Sequence, residues 1–111
     1  MAIVNAQLTT TQLDIITVPS GVDGWAITTV LVCNTGSSDA QFDMHLIPSG
    51  DPLADKVTKV VSDLVLPAGE TFTFDSEKIV LTPGDKLAFV AAPDIGSSLT
   101  DLAATVSYLE V

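Results

Sequence analysis

Few residues in this 111-residue chain could do chemistry, because it has one histidine and one cysteine. Histidine is the usual general acid or base near neutral pH, but His45 lies between Met44 and Leu46, opposite the expected core face, and no nucleophile motif accompanies it. We interpret it as an exposed structural histidine. Cys33 has apolar neighbours and no adjacent cation to activate a thiol, so we expect a small core residue.

Acidic side chains are the next candidates. Asp39 with Asp43, and Asp51 with Asp55, lie close in sequence, and carboxylate oxygens are ligands that Ca²⁺ prefers. The spacing of an EF-hand loop is absent, so we interpret these residues as solvated carboxylates. Glycoside hydrolysis needs two carboxyl groups at a fixed separation across a cleft, which the spacing does not establish. We therefore predict a non-enzymatic protein with no catalytic residue, no metal ligand and no cofactor.

Nucleotides and sugars are the remaining small ligands to consider. The seven glycines form neither a G-x-G-x-x-G motif nor a phosphate loop, so nothing favours nucleotide binding. Trp25 and Tyr108 could stack on a pyranose ring, yet both alternate with apolar residues along their predicted strands. Core packing and sugar binding both stay open for this pair, and we favour packing.

The charge balance bears on larger partners. Four lysines and no arginine stand against 14 acidic residues, which gives a formal net charge of -10. Such a chain cannot release counterions from a phosphate backbone, so we expect no nucleic-acid partner. The longest mostly apolar stretch, 25–33, is shorter than the ~20 residues of a membrane-spanning helix, and we expect no membrane partner. No basic residue precedes the first apolar residues, so we expect no secretion signal and synthesis in the cytoplasm.

The elements that position these residues are predicted to be strands. Turn sequences rich in proline, glycine, asparagine and serine recur at 19–21, 34–38, 48–52, 67–69, 83–85 and 93–96. The segments between them are rich in Val, Ile, Thr, Leu and Phe. They predict eight or nine short strands, near 3–8, 12–18, 24–34, 39–48, 57–66, 69–75, 78–81, 85–92 and 99–109.

We therefore predict an all-β fold, an antiparallel β-sandwich of the jelly-roll or immunoglobulin-like type. A chain of this length has enough residues for one core and too few for two. Residues 13–111 are expected to form a single sandwich domain, preceded by an N-terminal arm or edge strand at 1–12.

Alternation assigns faces in the better strands. The expected core faces are Trp25, Ile27, Leu31 and Cys33 in the third strand; Phe42, Met44 and Leu46 in the fourth; and Leu102, Ala104, Val106 and Tyr108 in the last. The third and fourth strands are expected to pair as a hairpin.

One segment carries a second pattern. Leu53, Val57, Val60, Val61 and Leu64 follow helical spacing, and Asp51 followed by Pro52 suits the start of a helix. Because the segment is rich in β-branched residues, we favour at most a short helical turn near 52–57 followed by a strand. A longer helix is the alternative.

Several short motifs follow one another in a recognisable order. They are LDIITVPSG at 13–21, ITTVLVCN at 27–34, AQF at 40–42, LPAGETF at 66–72, LTPGDKL at 81–87 and VSYLEV at 106–111. Their order resembles that in small β-sandwich virion structural proteins of tailed bacteriophages, over roughly residues 13–111. Ile16 stands where these proteins usually have Tyr, and the insert at 51–59 has no clear counterpart.

The resemblance implies a non-enzymatic component of the virion, with no catalytic residue to carry over. The first expectation is a capsid decoration or cement protein that binds and stabilises the shell. A neck, collar or tail-associated structural protein and a carbohydrate-binding module on the tail are the alternatives. The implied partners are the major capsid protein and further copies of the chain, as a homotrimer.

Two nearly uncharged segments are candidates for the interface. The N-terminal segment is β-prone and could add to a neighbouring sheet edge. The last strand suits either the core of an interface or a buried position in the middle of a sheet. The interface hypothesis names Ile3, Val4, Ala6, Leu8, Val106 and Tyr108.

Overall fold

Nine strands account for the regular structure of the computed structural model, which describes residues 2–50, 58–74, 79–91 and 99–110, apart from the side chains of 99 and 100. The strands are β1 (Ala2–Thr9), β2 (Leu13–Thr17), β3 (Trp25–Asn34), β4 (Ala40–Ile47), β5 (Lys59–Leu66), β6 (Thr71–Phe74), β7 (Ile79–Leu81), β8 (Lys86–Ala91) and β9 (Leu99–Glu110). Each corresponds to a strand predicted from the sequence. The predicted turn at 93–96 and the helical turn near 52–57 lie outside the described residues.

The strands form two antiparallel sheets, and the predicted all-β sandwich is confirmed. Sheet I has the order β1-β9-β3-β6, and β7 also pairs with β3. Sheet II has the order β2-β8-β4-β5. Throughout the described ranges, no helix is long and apolar enough to cross a membrane.

The core lies between the sheets and takes side chains from both. Phe42 of sheet II is buried at its centre, with its ring 5.7 Å from that of Phe72 in sheet I and 6.0 Å from that of Phe89 in sheet II. Burying a side chain of this size stabilises a fold by about 1.5–3 kcal/mol. Apolar contact between the inner faces therefore holds the two sheets together.

The N-terminal segment is an edge strand of this sandwich and not a separate arm. β1 pairs with β9 from Ala2, opposite Tyr108, to Thr9, opposite Leu99. The side chain of Leu8 is fully buried in the core. Residues 2–9 therefore belong to the same sandwich as the rest of the described chain.

The predicted hairpin of the third and fourth strands is wrong, because β3 lies in sheet I and β4 in sheet II. The buried amide of Asn34 marks the crossing. Its Nδ2 donates to the carbonyl oxygens of Ser38 and Leu66, both at 2.8 Å, and its Oδ1 accepts from Gly36 N at 3.0 Å. These bonds fix the loop that carries the chain from one sheet to the other.

A β-bulge in β3 reverses part of the predicted core face. The register with β9 shifts between Ile27 and Thr29, which leaves Thr28 as the extra residue. Ile27 faces the core before the bulge, whereas Val30 and Val32 face it afterwards. Leu31 and Cys33 lie half-buried on the outer face. The prediction of Cys33 as a core residue is therefore wrong.

Candidate functional site

The single histidine is buried, so the prediction of an exposed His45 is wrong. Its side chain is 3% exposed, and its Nδ1 lies 2.9 Å from Thr58 Oγ1. Thr58 reaches it because Leu46 N donates to Thr58 O at 3.0 Å, which holds the entry to β5 against β4. Leu46, predicted in the core, is half-buried and packs against it. His45 thus occupies a packed position with a hydroxyl neighbour.

The carboxylate of Asp43 is engaged in structural bonds. Its Oδ2 lies 3.3 Å from Lys59 Nζ, and its Oδ1 accepts a hydrogen bond from Asp63 N at 2.6 Å. Asp51 and Asp55 lie outside the described residues. Among the residues that are described, no group of three or more His, Cys, Asp or Glu side chains could hold a metal ion.

Trp25 and Tyr108 pack against each other, which is the arrangement favoured from the sequence. Their rings stack at a centroid distance of 4.3 Å and an interplanar angle of 24°, and both rings pack against the core. A shallow hollow of about 290 Å³ beside them is lined by Ala2, Trp25, Tyr108 and Glu110. Because each ring covers a face of the other, the pair offers no side-by-side aromatic platform to a sugar.

The six residues of the interface hypothesis divide by burial. Leu8 and Val106 are fully buried in the core, so their side chains cannot contact a partner, and that part of the hypothesis is wrong. Val4, Ala6 and Tyr108 are half-buried. Ile3 is 66% exposed and points away from the core. Of the six, Ile3 presents the large apolar side chain that a partner could cover.

The surroundings of Ile3 form a continuous uncharged surface. Across sheet I, Ile3 lies opposite Ser107 and Ser107 opposite Thr29. In the next outward-facing row, Asn5, Thr105, Leu31 and Thr73 follow one another on four neighbouring strands. We call these residues the neutral face: Ile3, Asn5, Thr29, Leu31, Thr73, Thr105 and Ser107.

The neutral face owes its character to strand composition. β1, β3, β6 and β7 contain no charged residue, and β9 contains only Asp101 and Glu110, near its ends. A hollow of about 290 Å³ on this face is lined by Ile3, Thr29, Leu31, Thr105 and Ser107. Its hydroxyl and apolar side chains suit contact with another surface. None of them titrates near neutral pH, so they do not suit acid-base chemistry.

Two hydroxyl groups on the outer side of sheet I form hydrogen bonds within the protein. Thr28 Oγ1 lies 2.5 Å from Ser107 Oγ and donates to Ser107 O at 3.1 Å. The bulge residue is thus tied to the strand that faces it. A partner seated here would therefore meet a surface whose shape is already fixed.

The sequence analysis named Ile3 and placed Asn5, Thr105 and Ser107 in two nearly uncharged candidate segments, but it missed Thr29, Leu31 and Thr73. Thr29 and Leu31 were missed because the bulge at Thr28 has no local sequence signature. A count of charges in each strand could have found the face, since four strands without a charged residue belong to one sheet.

No protein-family model matches the chain, and no curated protein matches its sequence.

Proposed function

We propose that the protein is a non-enzymatic structural component of a tailed-bacteriophage particle, a capsid decoration or cement protein that seats its neutral face on the shell. The neutral face carries the proposal: a chain of net charge -10 presents an outer sheet surface with no charged side chain among its seven members. The order of sequence motifs supports the assignment to a phage particle, with the major capsid protein as partner.

Desolvation explains why an uncharged face suits this role. A charged group that is buried without a partner costs several kcal/mol, whereas hydroxyl and aliphatic groups lose much less on leaving water. Interface cores are accordingly depleted in charged side chains. The neutral face meets this requirement and adds one exposed aliphatic side chain, Ile3.

Mass action explains how such contacts would stabilise a shell. A protein that binds only the mature shell stabilises it at each site by RT ln(1 + [L]/Kd), which is about 2.7 kcal/mol when the free concentration is 100 times Kd. The same modest contact, repeated over the particle, resists internal pressure. No catalytic step is required.

The proposal is tested by co-sedimentation of the purified protein with expanded phage shells, comparing Thr105→Glu with Ser62→Glu. Thr105 lies at the centre of the neutral face, and Ser62 is an exposed residue of β5 in sheet II. Both variants change the net charge equally. We expect Thr105→Glu to weaken shell binding at least tenfold, equivalent to about 1.4 kcal/mol, and Ser62→Glu to bind as the wild type does.

Thr73→Glu is a second variant for the same purpose, because Thr73 is exposed on β6 whereas Thr105 is half-buried. The substitution at Thr73 is therefore expected to destabilise the fold less than Thr105→Glu. Urea midpoints would show that each variant is folded. Equal shell binding by all the variants and the wild type would overturn the proposed contact surface. Wild-type protein that sediments with isolated tails or necks, and not with shells, would move the assignment to the alternative place in the particle.

A carbohydrate-binding role on the tail has less support. Trp25 and Tyr108 use their faces on each other, and both pack against the core. Trp25→Ala is therefore expected to destabilise the fold by about 3 kcal/mol, without a specific effect on glycan binding. A folded Trp25→Ala protein that loses binding to a host glycan would favour the carbohydrate role instead.

A further inference from the structure

The edges of the two sheets differ in how they are protected against pairing with another strand. β2 has five residues, an acidic side chain and a register shift between Asp14 and Ile16. β5 has register shifts, a charge at Lys59 and a left-handed residue, Asp63, with φ of 49°. Short strands, bulges and charges are the usual means of blocking an edge.

The β6 and β7 side of sheet I is also protected. The two strands have four and three residues, and they pair with separate parts of β3. In the sequence, Asp75 and Glu77 stand between them. Among the described residues, another strand would find two short segments here and no continuous ladder.

β1 has none of these protections over most of its length. It runs for eight residues without a charge or a proline, and its ladder with β9 has no register shift from Ala2 to Gln7. Along residues 2–6, no strand of the described chain pairs with its other side. Such an edge is a template for one more strand.

We propose that the occupant of this edge is β1 of a second copy, paired antiparallel about a two-fold axis so that sheet I continues across two molecules. This inference depends on the edge and the charge distribution, and it does not depend on the protein being a virion component. With Val4 at the axis, Ile3 of one copy lies opposite Asn5 of the other. The exposed Ile3 side chain then gains Asn5 of the other copy as a cross-strand neighbour, and the two neutral faces join into one surface.

The distribution of charged residues favours self-association at this edge. Two copies that each carry -10 repel each other, so pairing is favoured where no carboxylates are brought together. The first charged residue along the chain is Asp14, on β2. It accepts a hydrogen bond from Gln12 Nε2 at 2.7 Å and lies 3.7 Å from Lys86 Nζ, which reduces its repulsion of a second copy.

The symmetry and size of the β1–β1 contact predict the number of copies and the affinity. An antiparallel pair about a two-fold axis closes with two copies, so we expect a dimer and not the trimer implied by the resemblance. A ladder of about five residue pairs buries less than the ~1,600 Å² of a standard interface, and we expect a Kd of about 10–100 µM. Added salt should strengthen the dimer, because the Debye length falls from ~30 Å at 0.01 M to ~8 Å at 0.15 M.

The test combines sedimentation velocity over a concentration series at low and physiological salt with hydrogen exchange of the β1 amides. The wild type is expected to form a dimer that tightens with salt. Amides within residues 2–6 should exchange about tenfold more slowly when the dimer is populated. Association through the neutral face alone would leave these exchange rates unchanged.

Asn5→Lys is the disrupting variant and Ser62→Lys is its matched control. Both lower the net negative charge by one, which by itself favours association. Asn5→Lys should nevertheless raise Kd at least tenfold, since it places a charge on the edge strand close to the two-fold axis. Ser62→Lys should dimerise at least as well as the wild type.

Ile3→Lys serves as a second variant if urea unfolding shows that Asn5→Lys is destabilised. A wild type that stays monomeric at all concentrations, a dimer that survives both β1 substitutions, or a trimer without slowed exchange at 2–6 would each overturn the inference. Shell binding is measured separately with Thr105→Glu. Failure of the dimer and failure of the proposed function are therefore distinguishable.

Discussion

The two outer faces of the sandwich differ in charge although they cover the same core. On sheet II, Asp14 pairs with Lys86 and Asp43 pairs with Lys59. On sheet I, the neutral face has hydroxyl, amide and aliphatic side chains only. Because net charge favours solubility and opposes contact between copies, the unequal distribution keeps one side of the molecule available for contact.

The same contrast appears when one irregularity of each sheet is compared. In sheet II, Asp43 lies opposite the irregular part of β5, and its carboxylate accepts from the backbone N of left-handed Asp63 at 2.6 Å. In sheet I, Ser107 lies beside the bulge and shares a 2.5 Å hydroxyl contact with Thr28. Both irregularities are fixed by a side chain on the facing strand. In sheet I, the side chains that fix the bulge, Thr28 and Ser107, are uncharged.

The largest expected effect concerns the connection between the sheets. Asn34→Ala removes three hydrogen bonds to backbone groups, one of them the carbonyl oxygen of Leu66 in sheet II. Leaving the buried carbonyl of Leu66 and the two part-buried backbone groups without this partner should cost about 3 kcal/mol, measured by urea unfolding. Asn5→Ala, the same change on the outer face of sheet I, is the control and should cost less than ~0.5 kcal/mol. Equal losses would show that the Asn34 amide does not join the sheets.

The next effect separates the two ways of fixing a bulge. Asp43→Ala should cost about 1–2 kcal/mol and Thr28→Val about 1 kcal/mol, because each removes the bond across its bulge. The loss in Asp43→Ala should shrink in high salt, since it includes the ion pair with Lys59. The loss in Thr28→Val should not change. A salt-dependent loss at Thr28 would contradict the neutral character of sheet I.

A third prediction concerns Asp85, between β7 of sheet I and β8 of sheet II. Burial alone would raise the pKa of this carboxyl, but hydrogen bonds from Thr82 N, Ser49 N and the Thr82 hydroxyl outweigh burial and lower the pKa below its ordinary value. The stabilisation is therefore present above the unfolded-state pKa and is lost as the pH falls through the lower, folded-state pKa.

Asp85→Asn tests this direction of the pH dependence of stability. It should cost about 1 kcal/mol at pH 7 and have a flatter stability profile than the wild type below a pH of about 4. The free energy of unfolding, measured in urea at several pH values, checks both expectations. Asp23→Asn, in an exposed turn, is the matched control. Parallel acid profiles for the wild type and Asp85→Asn would contradict the prediction.

The smallest effect concerns the ion pair at the edge of sheet II. Asp14 and Lys86 are partly exposed and 3.7 Å apart, so their coupling in a double-mutant cycle of Asp14→Ala and Lys86→Ala should be at most ~0.5 kcal/mol. Urea unfolding of the four proteins measures it. A coupling above ~1 kcal/mol would mean that the charges of sheet II contribute substantially to stability.

Local patterns in the sequence predicted the strands well. Turn residues separate the strands at nearly the observed positions, and in β9 the alternation of Leu102, Ala104 and Val106 identifies the buried face. These properties depend on residues that are neighbours in the chain. A single sequence therefore contains the information needed to predict them.

Properties that depend on distant residues were missed. The crossing after β3 depends on a bond between Asn34 and Leu66, and the burial of His45 depends on the position of Thr58. Leu8 and Val106 were assigned to an interface because low charge is typical of both interfaces and cores. Only their packing between the two sheets, where both are fully buried, distinguishes the two cases.

The position of β9 in sheet I also has a consequence for synthesis. β9 is the last of the nine described strands, yet it lies between β1 and β3. At about 5–20 residues per second, several seconds separate the translation of Asn34 from that of the β9 residues. During that interval β1 and β3 lack their common partner on the ribosome. The uncharged strands β1 and β3, which we propose for assembly, must therefore be kept from pairing between nascent chains on the same messenger RNA.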